Sequence, residues 1–350
     1  MPAFINRIST AVPPTECHQH FVALLQRMEL PNAAREKLIA ATAQLGIERR
    51  YSVFRNLSSA ERATPDQFGQ TRSTAERMHI YQREALPLAM QAIAALLADD
   101  AESITHLIVT SCTGFYAPGI DIDIMHAAQL SPNVERTLIG FMGCYAAIPA
   151  LRTAQQIVES RPSARVLIVN IELCSLHFRD NAPLDQLISF LLFADGCAAS
   201  IVSARPVGLR LDRFFCVTLP NSLDAMRWTI GNDGFYMKLD AGIPDALHAA
   251  ITTHRAAILH DRTPRDIALW AIHPGGRAIL DAVQRAMDLP DAALTASRNV
   301  LRDFGNMSSA TIMFVLQQLL ADPHALGTGS AMAFGPGLSL ESFVFQREPS

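Results

Sequence analysis

Three side chains in this sequence stand where covalent acyl chemistry can occur: Cys144, His273 and Asn306. Cys144 closes the run Thr137-Leu138-Ile139-Gly140-Phe141-Met142-Gly143, and Ala146 and Ala147 lead on into a helical pattern. A thiol at a helix N-terminus faces unpaired N–H groups and the positive end of the macrodipole, which favour the nucleophilic thiolate. His273 ends an apolar run and precedes Pro274-Gly275-Gly276, whose glycines let backbone approach a bound group closely. Asn306 lies between Gly305 and Met307-Ser308-Ser309. Alone, each has an ordinary explanation: a small buried thiol, a histidine satisfied by a loop carbonyl, a helix N-cap.

Together the three suit one reaction. A thiolate paired with His273 accepts an acyl group from a thioester and holds it covalently. His273 and Asn306 then donate hydrogen bonds to a second thioester carbonyl, stabilising the enolate left when a malonyl unit loses carbon dioxide. The carbanion attacks the waiting acyl group.

The elements that must position these residues read as α/β. Ile104–Thr110, Val166–Asn170 and Ile267–Ile272 are continuous apolar runs, as expected of strands covered on both faces. Ala85–Leu97, Ala146–Val158, Pro244–Leu259, Arg277–Met287 and Ala310–Leu320 carry apolar residues at three- and four-residue spacing and predict helices. Residues 48–74 are more polar and read as irregular.

The chain also repeats itself. Gln155-Gln156 and Gln317-Gln318 each begin 11 positions after Cys144 and Asn306, and apolar strands begin 22 positions after the same two residues. Upstream, Cys112 lies 32 residues before Cys144, and His273 lies 33 before Asn306. This pattern predicts two related halves, 1–205 and 206–350, packed about a pseudo-twofold axis, so that Cys112, Cys144, His273 and Asn306 converge. A Cys-His-Asn protease would use its Asn to orient the His and needs no such duplication.

Gly143-Cys144-Tyr145-Ala146-Ala147, His273-Pro274-Gly275-Gly276, Gly305-Asn306-Met307-Ser308-Ser309-Ala310-Thr311 and Phe334-Gly335-Pro336-Gly337-Leu338 resemble, in order and spacing, the signature of the type III polyketide synthases, the chalcone synthase-like enzymes. The resemblance runs from Ile47-Glu48-Arg49-Arg50-Tyr51 to the last strand. It implies a thiolase-like duplicated αβαβα five-layer fold in a homodimeric acyltransferase, using an acyl-CoA starter and malonyl-CoA, with no cofactor. It makes Cys144 the acylated nucleophile, with His273 and Asn306 as the decarboxylation pair. Phe193 and Phe235 resemble two aromatic gatekeepers, Ser308 belongs to the Asn306 motif, and Gly335, Pro336 and Gly337 resemble a loop lining the cavity. A single-condensation ketosynthase would share the three central residues, and a non-catalytic thiolase-fold partner subunit is the rival from another class.

The departures from the family pattern are specific. His177 stands where chalcone synthases carry a cavity Thr, Met226 where they carry Gly, and Cys112 where the plant enzymes carry Thr. The cavity is therefore expected to be reshaped and partly filled. Ala117 lies where the plant enzymes place a Met across the dimer interface. Of the basic positions that meet CoA phosphates, Lys37 fits one, while Ala40 and Gln44 fall at two others. Arg49, Arg50 and Arg277 are expected to compensate, or an acyl carrier protein serves as donor.

Composition excludes other classes. Lys plus Arg number 29 against 33 Asp plus Glu, a formal charge of −4, with no basic run suited to nucleic acid. The six cysteines are scattered, as in a reduced, cytoplasmic protein, and the N-terminal residues lack a secretory pattern. Apolar windows are too short to span a bilayer. Cys17-His18-Gln19-His20 has no evident fourth ligand, so no metal is expected. Asp121 and Asp123 read as solvated loop residues, and Gly327-Thr328-Gly329 is too short for a phosphate loop.

Overall fold

Strand register follows from which face of each apolar run is covered. The computed structural model describes residues 1–27, 31–55, 72–97 and 103–348. In chain order it begins with β1 (Phe4–Ala11), β2 (Thr15–Glu16), α1 (His18–Arg27), α2 (Asn32–Gln44), β3 (Tyr51–Ser52), α3 (Thr74–Leu97), β4 (His106–Ser111), α4 (Ile120–Ala127), β5 (Glu135–Gly140), α5 (Ala147–Ser160), β6 (Arg165–Leu173), α6 (Leu184–Phe190) and β7 (Asp195–Ser203). There follow β8 (Leu209–Thr218), β9 (Met226–Gly231), β10 (Gly234–Leu239), α7 (Ile243–Leu259), β11 (Leu269–Ile272), α8 (Arg277–Met287), α9 (Thr295–Phe304), α10 (Thr311–Ala321), β12 (Gly327–Gly335) and β13 (Ser339–Arg347).

The main strands hydrogen-bond in the order β11-β12-β13-β8-β1-β7-β6-β4-β5. Read outward from the centre, β1-β7-β6-β4 on one side answers β8-β13-β12-β11 on the other, and β5 extends the first series at its edge. The two series meet within the sheet only where β1 and β8 pair, Phe4 with Arg210 and Ile5 with Leu209.

Alternation along each strand then builds the layers. Leu107 and Val109 of β4 pack with α3, whereas Ile108 between them packs with Ile148, Leu151 and Ala154 of α5. In β12, Ala331 and Ala333 meet Ile312 and Val315 of α10, whereas Met332 and Phe334 face Leu247 and Ile251 of α7 and Leu280 of α8. Helices α5 and α10 thus form one inner layer between the two strand series, with α3 and α4 outside the first and α7 and α8 outside the second.

Of the polar stretch at 48–74, Tyr51–Ser52 pairs with Thr15–Glu16, and residues 56–71 lie outside the described residues. Asp121 and Asp123 are in the first turn of α4 rather than a loop: Asp121 pairs with Arg136, and Asp123 accepts the Tyr116 hydroxyl at 2.6 Å. Carboxylates suit that position because a helix N-terminus carries partial positive charge.

Candidate active site

Cys144 sits on a short 3-10 turn, Gly143–Tyr145, between the edge strand β5 and the inner helix α5. The turn needs Gly143 for two reasons. Its φ is +81°, and a Cβ there would lie 2.4 Å from Pro336 Cδ. Its N–H donates to Cys112 Sγ at 3.0 Å, so Cys112 ties the Cys144 turn to the end of β4. Pro336 therefore reaches the site, while Gly335 packs against Tyr145 and Gly337 turns toward Ser339.

Asn306 arrives from the other half, between α9 and α10. Gly305 precedes it at φ +67°, where a Cβ would meet Arg50 Cγ at 2.8 Å. Its backbone is stitched to the β7 approach: Asn306 N–H donates to the Leu192 carbonyl at 2.8 Å, and Ala194 N–H donates to the Asn306 carbonyl at 2.9 Å. Oδ1 accepts from Ser308 N–H at 2.8 Å, from the Thr311 hydroxyl at 3.5 Å and from Cys144 Sγ at 3.9 Å. Nδ2 donates to the Gly275 carbonyl at 3.3 Å. His273, at the end of β11, is buried, and neither ring nitrogen has a hydrogen-bond partner among the described residues.

These groups line one cavity of about 610 Å³, together with Phe193, Cys112, Cys174, Ser308, Met226 and Met237. That volume is ordinary for a small-molecule site. Burial pushes the Cys144 thiol up to about 11 and the His273 imidazole down to about 3. The thiolate-favouring turn, the Ser308 hydroxyl and Asn306 pull Cys144 the other way, and burial outweighs them. Each charge is thus disfavoured alone.

Glu172, fully buried behind the turn, accepts from Cys112 N–H and the Thr113 hydroxyl at 2.9 Å and from the Ser309 hydroxyl at 2.6 Å. Burial raises its carboxyl to about 7. Sequence reading missed Glu172, Cys174, Met237 and Trp228. For the last two a signal existed, since Met226 and Trp228 alternate on β9 and face Leu239 and Met237 in the hairpin register.

Several expected positions differ from the structure. His177 does not line the cavity: its ring is fully buried, stacked on Phe235 at 4.0 Å, with Nε2 at 2.8 Å from the Thr113 carbonyl and Nδ1 accepting Phe235 N–H at 3.1 Å. Phe235 does not line it either, because Trp228 stands edge-on to it at 5.7 Å from the same hairpin face. Arg50 cannot meet a CoA phosphate. It is 2% exposed, donates at 2.8 Å to the carbonyls of Phe190 and Phe193, and donates to His18 Nδ1 at 3.1 Å. Arg50 thereby braces the segment that holds Phe193 and Asn306. Arg277 lines the cavity mouth; Lys37 is exposed on α2, one helical turn before Ala41 of the lining.

The likeness to known proteins covers the whole of this architecture. The N-terminal domain of chalcone and stilbene synthases matches residues 2–206, and their C-terminal domain matches residues 214–349. An alpha-pyrone synthesis polyketide synthase-like protein, Pks18 of Mycobacterium tuberculosis, is 34% identical over 285 residues, covering 77% of this chain and 72% of that protein. Among solved structures, the C-terminal type III polyketide synthase domain of Steely1 from Dictyostelium superposes with a TM-score of 0.91 at 25% identity, over 99% of each chain. A polyketide synthase of the brown alga Ectocarpus siliculosus gives 0.90 at 26% identity, over 99% and 98%. With two strand series around a shared helical layer and a Cys, a His and an Asn meeting in one cavity, the chain belongs to the chalcone and stilbene synthase family and is a thiolase-fold type III polyketide synthase.

Proposed function

We propose that this enzyme extends an acyl-CoA starter with malonyl-CoA by decarboxylative Claisen condensation and releases a cyclised polyketide, with Cys144, His273 and Asn306 performing the chemistry. Cys144 Sγ attacks the starter thioester carbonyl, its proton passes to His273, and the departing CoA sulfur takes that proton. When malonyl-CoA enters, its carboxylate leaves as carbon dioxide, and the electron pair of the broken C–C bond becomes an enolate held by donors from His273 and Asn306. The enolate carbon attacks the acyl-Cys144 carbonyl, expelling the Cys144 thiolate and leaving a lengthened chain on CoA. Transfer back to Cys144 allows another round. No electron carrier enters these steps.

The observation that carries this reading is a buried imidazole with both nitrogens unpartnered among the described residues, lining the same cavity as a thiol already hydrogen-bonded to Asn306. The halves 1–205 and 206–350 supply the nucleophile and the donor pair respectively. Arg277, which lines the cavity with Asp185 and Asp240, and Lys37, exposed on α2 one turn before Ala41 of the lining, are the cations for the CoA phosphates. Strand β5 is a sheet edge with Leu138 45% exposed, the kind of edge that another strand covers, which supports a homodimer through that face. No described helix is long and apolar enough to cross a membrane, and all six cysteines are free, as suits the cytoplasm.

The test is mass spectrometry of protein and products after incubation with malonyl-CoA and short, long and aromatic acyl-CoA starters. Expected are a starter thioester on Cys144, absent in Cys144→Ser, and products carrying two or more added ketide units. Single-condensation products, or activity only with carrier-protein thioesters, would overturn the reading in favour of a ketosynthase.

A further inference from the structure

The β9–β10 hairpin forms one wall of the cavity, and Trp228 is part of that wall. It lines the cavity with Met226 and packs against the cluster formed by Cys144, Cys174, Phe193 and Met237. The indole is fixed on several sides. Nε1–H donates to the Cys112 carbonyl at 2.7 Å, and the ring stands edge-on to His177 at 5.3 Å and to Phe235 at 5.7 Å. Those two rings are themselves stacked and buried, and His177 is pinned through both nitrogens. Cys112, which holds the indole through its carbonyl, also holds the nucleophile turn through its Sγ. The wall is therefore tied to the Cys144 turn through Cys112.

We propose that Trp228 is the residue that limits product length: a chain anchored at Cys144 grows until it meets the indole, and further extension has no room. This rests on the polyketide synthase reading above. It assigns to the indole a restriction that sequence comparison shared between His177 and Met226; His177 lies behind the indole and acts by supporting it, while Met226 lines the cavity beside it.

The experiment compares wild type, Trp228→Ala and Trp228→Phe with malonyl-CoA and the same starter panel, reading product length by mass spectrometry, acylation of Cys144, and thermal unfolding. The wild-type products test the polyketide reading by themselves, so its failure is seen separately. An indole is larger than the benzene ring that an apolar void of about 150 Å³ accepts, so Trp228→Ala is expected to lengthen the main product by one or more ketide units. Trp228→Phe, which keeps a ring but loses the bond to Cys112, is expected to retain the wild-type length. A folded Trp228→Ala enzyme that acylates Cys144 yet gives the wild-type product length overturns the inference. Should that variant fail to fold, Trp228→Leu is read by the same criterion.

Discussion

Asn306 offers the sharpest separation of structural from chemical roles, because its two amide atoms do different things. Oδ1 accepts three hydrogen bonds that shape the turn, from Ser308, Thr311 and Cys144. Nδ2 carries two N–H donors and has one long partner, the Gly275 carbonyl at 3.3 Å. One donor is thus uncommitted toward the cavity among the described residues. Asn306→Asp preserves the shape and the acceptor while deleting both donors; Asn306→Ala deletes everything. Loss of one oxyanion donor costs about 2.7–4 kcal/mol, or roughly a hundred- to a thousandfold in rate. Release of carbon dioxide from malonyl-CoA without starter measures that step directly. The expected result is a loss of that size in Asn306→Ala and no rescue in Asn306→Asp, whose carboxylate would also repel the enolate. The Asp variant also sets a carboxylate oxygen against the Gly275 carbonyl at a buried position, so thermal unfolding is measured beside the decarboxylation rate to separate lost stability from lost chemistry. An Asn306→Asp enzyme that decarboxylates like wild type refutes the donor role and leaves Asn306 as a turn-former.

Two further outcomes follow from the same geometry. Gly143→Ala puts a methyl 2.4 Å from Pro336 Cδ at a φ of +81°, so the nucleophile turn must shift; acylation of Cys144 should fall steeply while denaturation shows a loss of about 1–3 kcal/mol, and normal acylation would show that the turn is not held by this contact. Burial holds His177 and His273 near 3, so both stay neutral in the folded state and protonate near their ordinary value once unfolded. Their stabilising share is complete above about pH 6.5 and is lost as pH falls toward 3, each at about 1.4 kcal/mol per pH unit. Denaturant titrations at two pH values below neutrality should show one such share missing in His177→Gln, and an unchanged slope would count against the assignment.

The residues legible in the sequence are those whose local setting already announces them. Gly143-Cys144 and Gly305-Asn306 each require a backbone that only glycine provides easily, and His273 closes an apolar strand covered on both faces. Helix α8 is visible because its apolar stripe is one-sided and buried, at Leu280, Val283 and Met287, whereas α10 is buried on every side from Thr311 to Leu316 and reads as a helix from its length and apolar run. What could not be read is which side chain stands in front of another. Met226, Trp228, Phe235 and Met237 share one hairpin face, and only the packed structure shows the indole covering the Phe235 ring. Arg50 is the same problem in charge form. Its partners Phe190 and Phe193 lie 140 and 143 positions away, so nothing local distinguishes an arginine that will be buried against carbonyls from one that will greet a phosphate.

The meeting of the two strand series at only two residue pairs, Phe4 with Arg210 and Ile5 with Leu209, bears on how the molecule comes into being. Cys144 belongs to one series, while His273 and Asn306 come from far along the chain and belong to the other. Closing such long loops is slow, and their contacts reward the chain only after the closure entropy has been met. A nascent chain that has reached Ser203 carries Cys144 but neither His273 nor Asn306. With the roles proposed above, competence for acyl transfer requires the two series to have docked, which makes the recovery of activity during refolding a clock for their joining.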